Sequence, residues 1–152
     1  MSSYKEVEGC LIEKSLNGEF DVIAHGCNCF CLQKAGIAAK MSETFNTDKY
    51  ELEAPVYRGY INKLGQIYFR SIPLDDGQVT VVNAYTQYKP GGNLDYSALE
   101  LCLTKINHTF SGQHIGLPKI GAGIAGGDWN FIKTIIQTTL VDCSVTIVNF
   151  KK

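Results

Sequence analysis

Two short stretches of this 152-residue chain hold residue types that could do chemistry. The first is AHGCNCFCLQKAGIAAKM, residues 24–41. His25 can exchange a proton near neutral pH. Asn28 carries both a donor and an acceptor, which suits a pair of sugar hydroxyls. Gly36 sits where a helical pattern opens. The second stretch is LPKIGAGIAGGDW, residues 117–129. Gly121, Gly123, Gly126 and Gly127 can take positive φ and turn several N–H groups to one side. The helix that follows would add its positive N-terminal end. That is the physics of a pyrophosphate cradle. Each stretch has a plainer reading: His25 packs within a sheet, Asn28 satisfies a turn, and the glycines only tighten a strand-to-helix connection. No Lys-Ser/Thr pair follows the glycines, so the loop is not a Walker motif. A dinucleotide-binding fingerprint would sit in the first βα unit with an acidic residue about 20 positions on, and that pattern is missing.

Cys27, Cys29 and Cys31 form C-x-C-x-C. Structural zinc needs three or four ligands, commonly from C-x₂₋₄-C pairs. The spacing does not fit and no partner pair appears, so neither a metal nor another cofactor is expected. The first twenty residues contain no apolar h-region, so no secretory leader is expected. Six cysteines in such a chain read as reduced thiols in the cytoplasm. Fourteen basic against fifteen acidic residues leave a net charge of -1. That balance supplies no broad basic field for nucleic acid or a membrane surface. No apolar stretch approaches a membrane-spanning length. A nucleotide remains possible, because one local anion site needs no basic protein.

The elements that must position these residues follow from hydrophobic pattern. YKEVEG suggests a first strand. DVIAHG, residues 21–26, is a short apolar run and reads as a buried strand. Ile37, Ala38, Met41 and Phe45 recur at helical spacing. GQIYFRSI and QVTVVNAYTQ are strands separated by the turn signal PLDDG. Leu99, Cys102, Leu103, Ile106 and Phe110 share one helical face, with Asp95 as its N-cap. HIGLPKI reads as a central strand. Trp129, Ile132, Ile135, Ile136 and Leu140 mark a last helix, with Asp128 as its cap, and SVTIVNF closes the chain as a strand. The order β-β-α-β-β-α-β-α-β predicts an α/β layered fold with a mixed sheet, one domain spanning 1–152. Ligands in such sheets sit beyond the carboxyl ends of strands. Both chemistry-bearing loops fall there.

The two stretches together resemble the macrodomains. FDVIAHGCNCF…AGIA is similar to the first ligand-binding segment of the branch containing ADP-ribose-1''-phosphate phosphatases and related ADP-ribosyl hydrolases. LPKIGAGIAGGDW is similar to the second, phosphate-binding loop, and VVNAYTQ and DYSALELCL also resemble that branch. The resemblance covers essentially the whole chain. It implies a three-layer macrodomain-like fold, with a mixed central sheet flanked by helices and ADP-ribose in a cleft over its crest. The adenine end would lie near Cys10, Leu11 and Ile12 and near Asn149 and Phe150. The pyrophosphate would rest on amides of Gly123, Ile124, Ala125 and Gly126. The distal ribose would lie between Asn28, the turn of Gly36, Ile37 and Ala38, and Gly121 with Ala122. His25 and Asn28 match the residues placed at the reacting end of phosphatase-like members, which makes them the catalytic pair.

The chain departs from that pattern at three places. Cys10 stands where many macrodomains carry an Asp that accepts from the adenine amino group. This leaves either weaker adenine recognition or recognition through backbone groups and Phe150. Lys34 stands where the family often has Gly, and either crowds the distal ribose or attracts a terminal phosphate. One subgroup of hydrolases uses a Lys and an Asp near the positions of Asn83 and Ala125, so a covalent lysine route is not expected. The leading function is ADP-ribose binding with hydrolase activity, foremost removal of phosphate from ADP-ribose 1''-phosphate. The alternatives are hydrolysis of an ADP-ribosyl or O-acetyl-ADP-ribose ester, and a non-catalytic reader of ADP-ribose. Partners would then be ADP-ribose or a derivative, with an ADP-ribosylated macromolecule as a further possibility and no membrane. The oligomeric state is not legible in the sequence.

Overall fold

The structure is a computed structural model that describes residues 3–33, 35–50 and 59–150. Six strands form one sheet: β1 (Tyr4–Gly9), β2 (Val22–Asn28), β3 (Ile67–Leu74), β4 (Gly77–Gln87), β5 (His114–Leu117) and β6 (Ser144–Phe150). Their order is β1-β6-β5-β2-β4-β3. Every neighbouring pair is parallel except the β3–β4 hairpin. The expected mixed sheet is therefore present, and the five parallel strands bring their carboxyl ends to one edge.

Helices cover both faces because alternate side chains along each strand point to opposite sides. On one face Val22, Ala24, Val82, Ala84, Ile115 and Ile147 pack with Leu99, Leu103 and Ile106 of α3 (Tyr96–Thr109) and Ile132 and Ile136 of α4 (Trp129–Thr139). On the other, Ile23, Val79, Val81 and Val148 pack with Leu11 and Ile12 of α1 (Leu11–Leu16) and Met41 and Phe45 of α2 (Gly36–Phe45). Asp95 and Asp128 cap α3 and α4, accepting from the amides of Ala98 and Asn130 at 3.0 Å each. The caps read from sequence are both present.

Two features differ from the sequence reading. Helix α1 lies between β1 and β2, where the predicted order passes directly from strand to strand. It has only six residues and no side-chain cap, so it offers neither a full amphipathic period nor a start signal. Strand β2 also continues two residues past Gly26, which puts Asn28 on its last position.

Candidate functional site

A cleft of about 450 Å³ opens at the carboxyl edge of the sheet, within the usual range for a small-molecule site. Its floor is Gly26, Cys27 and Asn28 of β2 with Thr86 and Gln87 of β4. One wall is Leu32, Gln33 and residues 35–38, which lead into α2. The opposite wall is the glycine loop after β5, and Pro90 and Gly91 close the β4 end.

The glycine loop divides its amides between two tasks. Those of Ile120, Ala122, Gly126 and Gly127 donate inward, to the carbonyls of Pro118, Lys119, Gly123 and Gly121 at 2.7, 3.1, 3.0 and 2.8 Å. Those of Gly121, Gly123, Ile124 and Ala125 have no partner among the described residues. All four of these residues line the cleft. Left-handed backbone at Gly121 and Gly126 (φ 78° and 79°) folds the loop into this shape. The amide of Gly126, expected on the pyrophosphate, is instead spent on the loop's own turn.

The helix dipole at the cleft also has a different source from the expected one. Asp128 places its carboxylate on the N-terminus of α4, and no residue from 126 to 130 lines the cleft. Helix α2 supplies the open N-terminus. Its N-cap is Ala35, which has no side-chain bond to give. The first-turn amides of α2 therefore lack intrahelical partners, and Gly36, Ile37 and Ala38 form the cleft wall. Two sets of backbone donors thus belong to residues that line the cleft, one on each wall. Lys119 is the one charged side chain among the described lining residues, so nothing described on the wall repels an anion.

Asn28 builds the loop that carries this wall. Its Oδ1 accepts from the amides of Phe30 at 3.0 Å and Leu32 at 3.3 Å, and its Nδ2 donates to the Leu32 carbonyl at 2.9 Å. Asn28 also lines the cleft, so the residue that forms the turn is itself part of the cleft wall. Gln87 holds the neighbouring loop in the same way, donating to the carbonyls of Lys89 and Gly91 at 2.7 and 2.8 Å.

His25 lies elsewhere. It points to the α1/α2 face with Asn83, its partner in register across β2 and β4, and it is fully buried. Its Nε2 donates to Asn83 Oδ1 at 2.7 Å, while Asn83 Nδ2 donates to the Thr47 carbonyl at 2.8 Å. Thr47 in turn donates to Gln33 on the cleft wall. Burial pushes the imidazole pKa down to about 4, because the charged form loses its hydration. His25 is thus a neutral group behind the cleft, outside its lining.

This burial has a pH signature. An unfolded histidine takes a proton near pH 6.5, whereas folded His25 resists it down to about pH 4. Below pH 6.5 the unfolded chain binds the extra proton, so His25 draws stability down as pH falls toward 4, by about 3 kcal/mol when complete. Urea unfolding at pH 7 and pH 4.5 should show that loss. His25→Gln, which keeps a donor for Asn83, should show a smaller one. Equal losses in both proteins would remove His25 as the cause.

Of the other expected contacts, Asn28, Gly36, Ile37, Ala38, Gly121, Gly123, Ile124 and Ala125 come together in the cleft. Ala122 and Gly126 belong to the loop but not to its lining. Leu11 and Ile12 are buried in the α1 core. Asn149 and Phe150 end β6, farther along the same edge. Phe150 is 60% exposed with Lys40 Nζ 4.4 Å from its ring centre. Asn83 is buried beneath the sheet surface and Ala125 lies on the wall. Lys34 lies outside the described residues. All six cysteines are free thiols. Among the described residues no three His, Cys, Asp or Glu side chains group to hold a metal ion, and no helix is long and apolar enough to cross a membrane. Gln33, Thr86, Gln87 and Lys119 are cleft residues that sequence reasoning missed. They occur singly, with no motif spacing to mark them.

Solved structures share this architecture. The macrodomain of Thermus aquaticus DarG superposes with a TM-score of 0.77 at 21% identity, covering 97% of this chain and 99% of that one. Thermosipho africanus DarTG in complex with ADP-ribose gives 0.79 at 15% identity, and the match covers 98% of this chain and 42% of that one. A Trypanosoma brucei macrodomain in complex with ADP gives 0.68 at 15% identity, covering 99% and 65%. The fold is that of a macrodomain. No family model matches the sequence. The chain belongs to the same family as an uncharacterized 17.5 kDa protein of the tk-vs intergenic region of Enterobacteria phage T4, which is 32% identical over 160 residues, covering 97% of this chain and 96% of that protein.

Proposed function

We propose that the cleft binds ADP-ribose and that the protein hydrolyses ADP-ribose 1''-phosphate to ADP-ribose and inorganic phosphate. The observation that carries the binding reading is the set of four unpaired cleft-lining amides at Gly121, Gly123, Ile124 and Ala125. With the open N-terminus of α2 on the other wall, they offer fixed donors to a diphosphate without needing bulk positive charge. The neighbours solved in complex with ADP-ribose and ADP support the choice of ligand. Asn28, with one Nδ2 hydrogen beyond its bond to Leu32, would orient the distal end.

The choice of reaction rests on the leaving group. No described lining residue is a carboxylate or a histidine. Water would bond to C1'' as the C1''–O bond breaks; the bond pair leaves with phosphate, a stable anion that takes up the water's proton, so no side-chain acid is needed, unlike for a departing alkoxide. Oriented amides suit negative charge that develops near them. His25 supports this site from behind, through Asn83, Thr47 and Gln33, as a positioning residue. With six free thiols, we place the protein in a reducing cytoplasm.

The test is to incubate the protein with ADP-ribose 1''-phosphate, O-acetyl-ADP-ribose and an ADP-ribosylated protein, and to follow each product. Phosphate release from the first is the expected result. Tight ADP-ribose binding without turnover of any substrate would make the protein a reader and overturn the hydrolase reading.

A further inference from the structure

Four described lining residues carry a side-chain oxygen: Asn28, Gln33, Thr86 and Gln87. Asn28 Oδ1 accepts from the Phe30 and Leu32 amides. Gln33 Oε1 accepts from Thr47. Thr86 Oγ1 is sealed from solvent, and a Cβ on Gly26 would stand 2.9 Å from it. Gln87 Oε1 accepts from no described residue, and it is not sealed from solvent. Its orientation is fixed, because both Nε2 hydrogens go to the carbonyls of Lys89 and Gly91, at 2.7 and 2.8 Å. A carbonyl can only accept, so the amide cannot be turned end for end.

The strand ladder sets this group beside Asn28. Cys27 pairs with Tyr85 and Asn28 pairs with Gln87, so Thr86 is the extra residue of a bulge on β4. Bulges re-aim side chains and often lie beside binding sites. In an unbroken ladder Thr86 would stand opposite Asn28; the bulge puts Gln87 there instead. The two neighbouring carboxamides are complementary. Asn28 retains one N–H beyond its loop bonds, and Gln87 retains only its oxygen. An acceptor adds nothing to the holding of an anion. What it can hold is an O–H.

We propose that Gln87 is a catalytic residue whose Oε1 accepts a hydrogen bond from the attacking water. This rests on the hydrolase reading and deepens it, since no carboxylate or histidine among the described lining residues could hold that water. The water oxygen bonds to C1'' as the C1''–O bond breaks. The bond pair leaves with phosphate, which takes up the water's proton. Gln87 takes no proton at any stage. By holding one O–H it turns an oxygen lone pair toward C1'' and removes the orientational freedom of the water.

The experiment measures turnover of ADP-ribose 1''-phosphate and calorimetric binding of ADP-ribose for the wild-type chain, Gln87→Met and Gln87→Glu. Methionine keeps the length and removes both donor and acceptor; glutamate keeps an acceptor and removes the donors. Gln87→Met should lower kcat by about 100-fold, the scale for losing an oriented polar group at a reacting centre. Its ADP-ribose affinity should fall by less than about tenfold, the scale of one hydrogen bond. Gln87→Glu should turn over at least about tenfold faster than Gln87→Met, with a rate that rises with pH as the new carboxylate loses its proton. Wild-type turnover in ¹⁸O-water, which needs no variant, should release phosphate without label. A kcat for Gln87→Met close to wild type, equal rates in the two variants at every pH, or labelled phosphate would overturn the proposal while the hydrolase reading stands. A loss that falls on ADP-ribose affinity with kcat unchanged would also overturn it, and would give the oxygen to a ligand hydroxyl. A wild-type chain that releases no phosphate would overturn the hydrolase reading and this proposal with it.

Discussion

Gly123→Glu should abolish ADP-ribose binding, by about 100-fold or more, and leave the fold intact. A Cβ at Gly123 meets nothing within 4 Å, and the residue is not in the left-handed region. The protein itself therefore tolerates a side chain there. A diphosphate held as proposed, on the unpaired amides of Gly123, Ile124 and Ala125, would not. Glutamate adds bulk and a like charge at that point, and two decades of affinity correspond to about 2.8 kcal/mol. Gly127 provides the contrast. A Cβ there would collide with Leu94 and come within 2.6 Å of the Gly121 carbonyl, so Gly127→Ala should lower the unfolding midpoint. A folded Gly123→Glu protein that still binds ADP-ribose would show that the loop is only a turn.

Asn28→Ala should lower turnover of ADP-ribose 1''-phosphate by about 100-fold or more, the scale for losing an oriented polar group at a reacting centre. Alanine removes three hydrogen bonds at once: two accepted from Phe30 and Leu32 and one donated to Leu32. The 28–32 loop then loses its fixed path into α2, so affinity for ADP-ribose should fall as well. Asn28→Asp keeps the acceptor for both amides but sets a carboxylate oxygen against the Leu32 carbonyl, so it should keep more of the loop's order than alanine does while turnover still drops. Steady-state kinetics on the two variants reads this directly. Unchanged turnover in both would move the chemistry away from Asn28. The expectation for His25 follows from its burial: the rate should show no titration near the pKa of an exposed histidine.

The sheet, the three longer helices and the place of the cleft were legible because they depend on repeated signals. The α3 face is an example: Leu99, Cys102, Leu103 and Ile106 recur at helical spacing and are all buried. The glycine loop was legible as a tight turn of left-handed backbone because Gly121 and Gly126 permit the positive φ it uses. Which amides face outward was not legible, since that depends on bonds such as Gly126 N–H to the Gly123 carbonyl. The side of the sheet taken by His25 follows from strand parity, as Ile23 and His25 share a face. The loss of its charge comes from burial, which the hydrogen bond to Asn83, 58 residues away in sequence, only partly opposes. The Thr86 bulge arises from a one-residue register shift between two strands, and neither strand alone encodes it. Short α1 escaped for the simpler reason that six residues cannot display a helical period.

The central claim is that two backbone donor sets hold a diphosphate while the cleft extends to a distal sugar. Calorimetric titration of the wild-type chain with ADP-ribose and with AMP tests it most directly. ADP-ribose should bind with micromolar-range affinity, about 7–9 kcal/mol. AMP, which lacks the second phosphate and the distal ribose, should bind far more weakly. Equal affinity for the two would contradict the account, because the glycine loop and the α2 N-terminus would then contribute nothing to recognition.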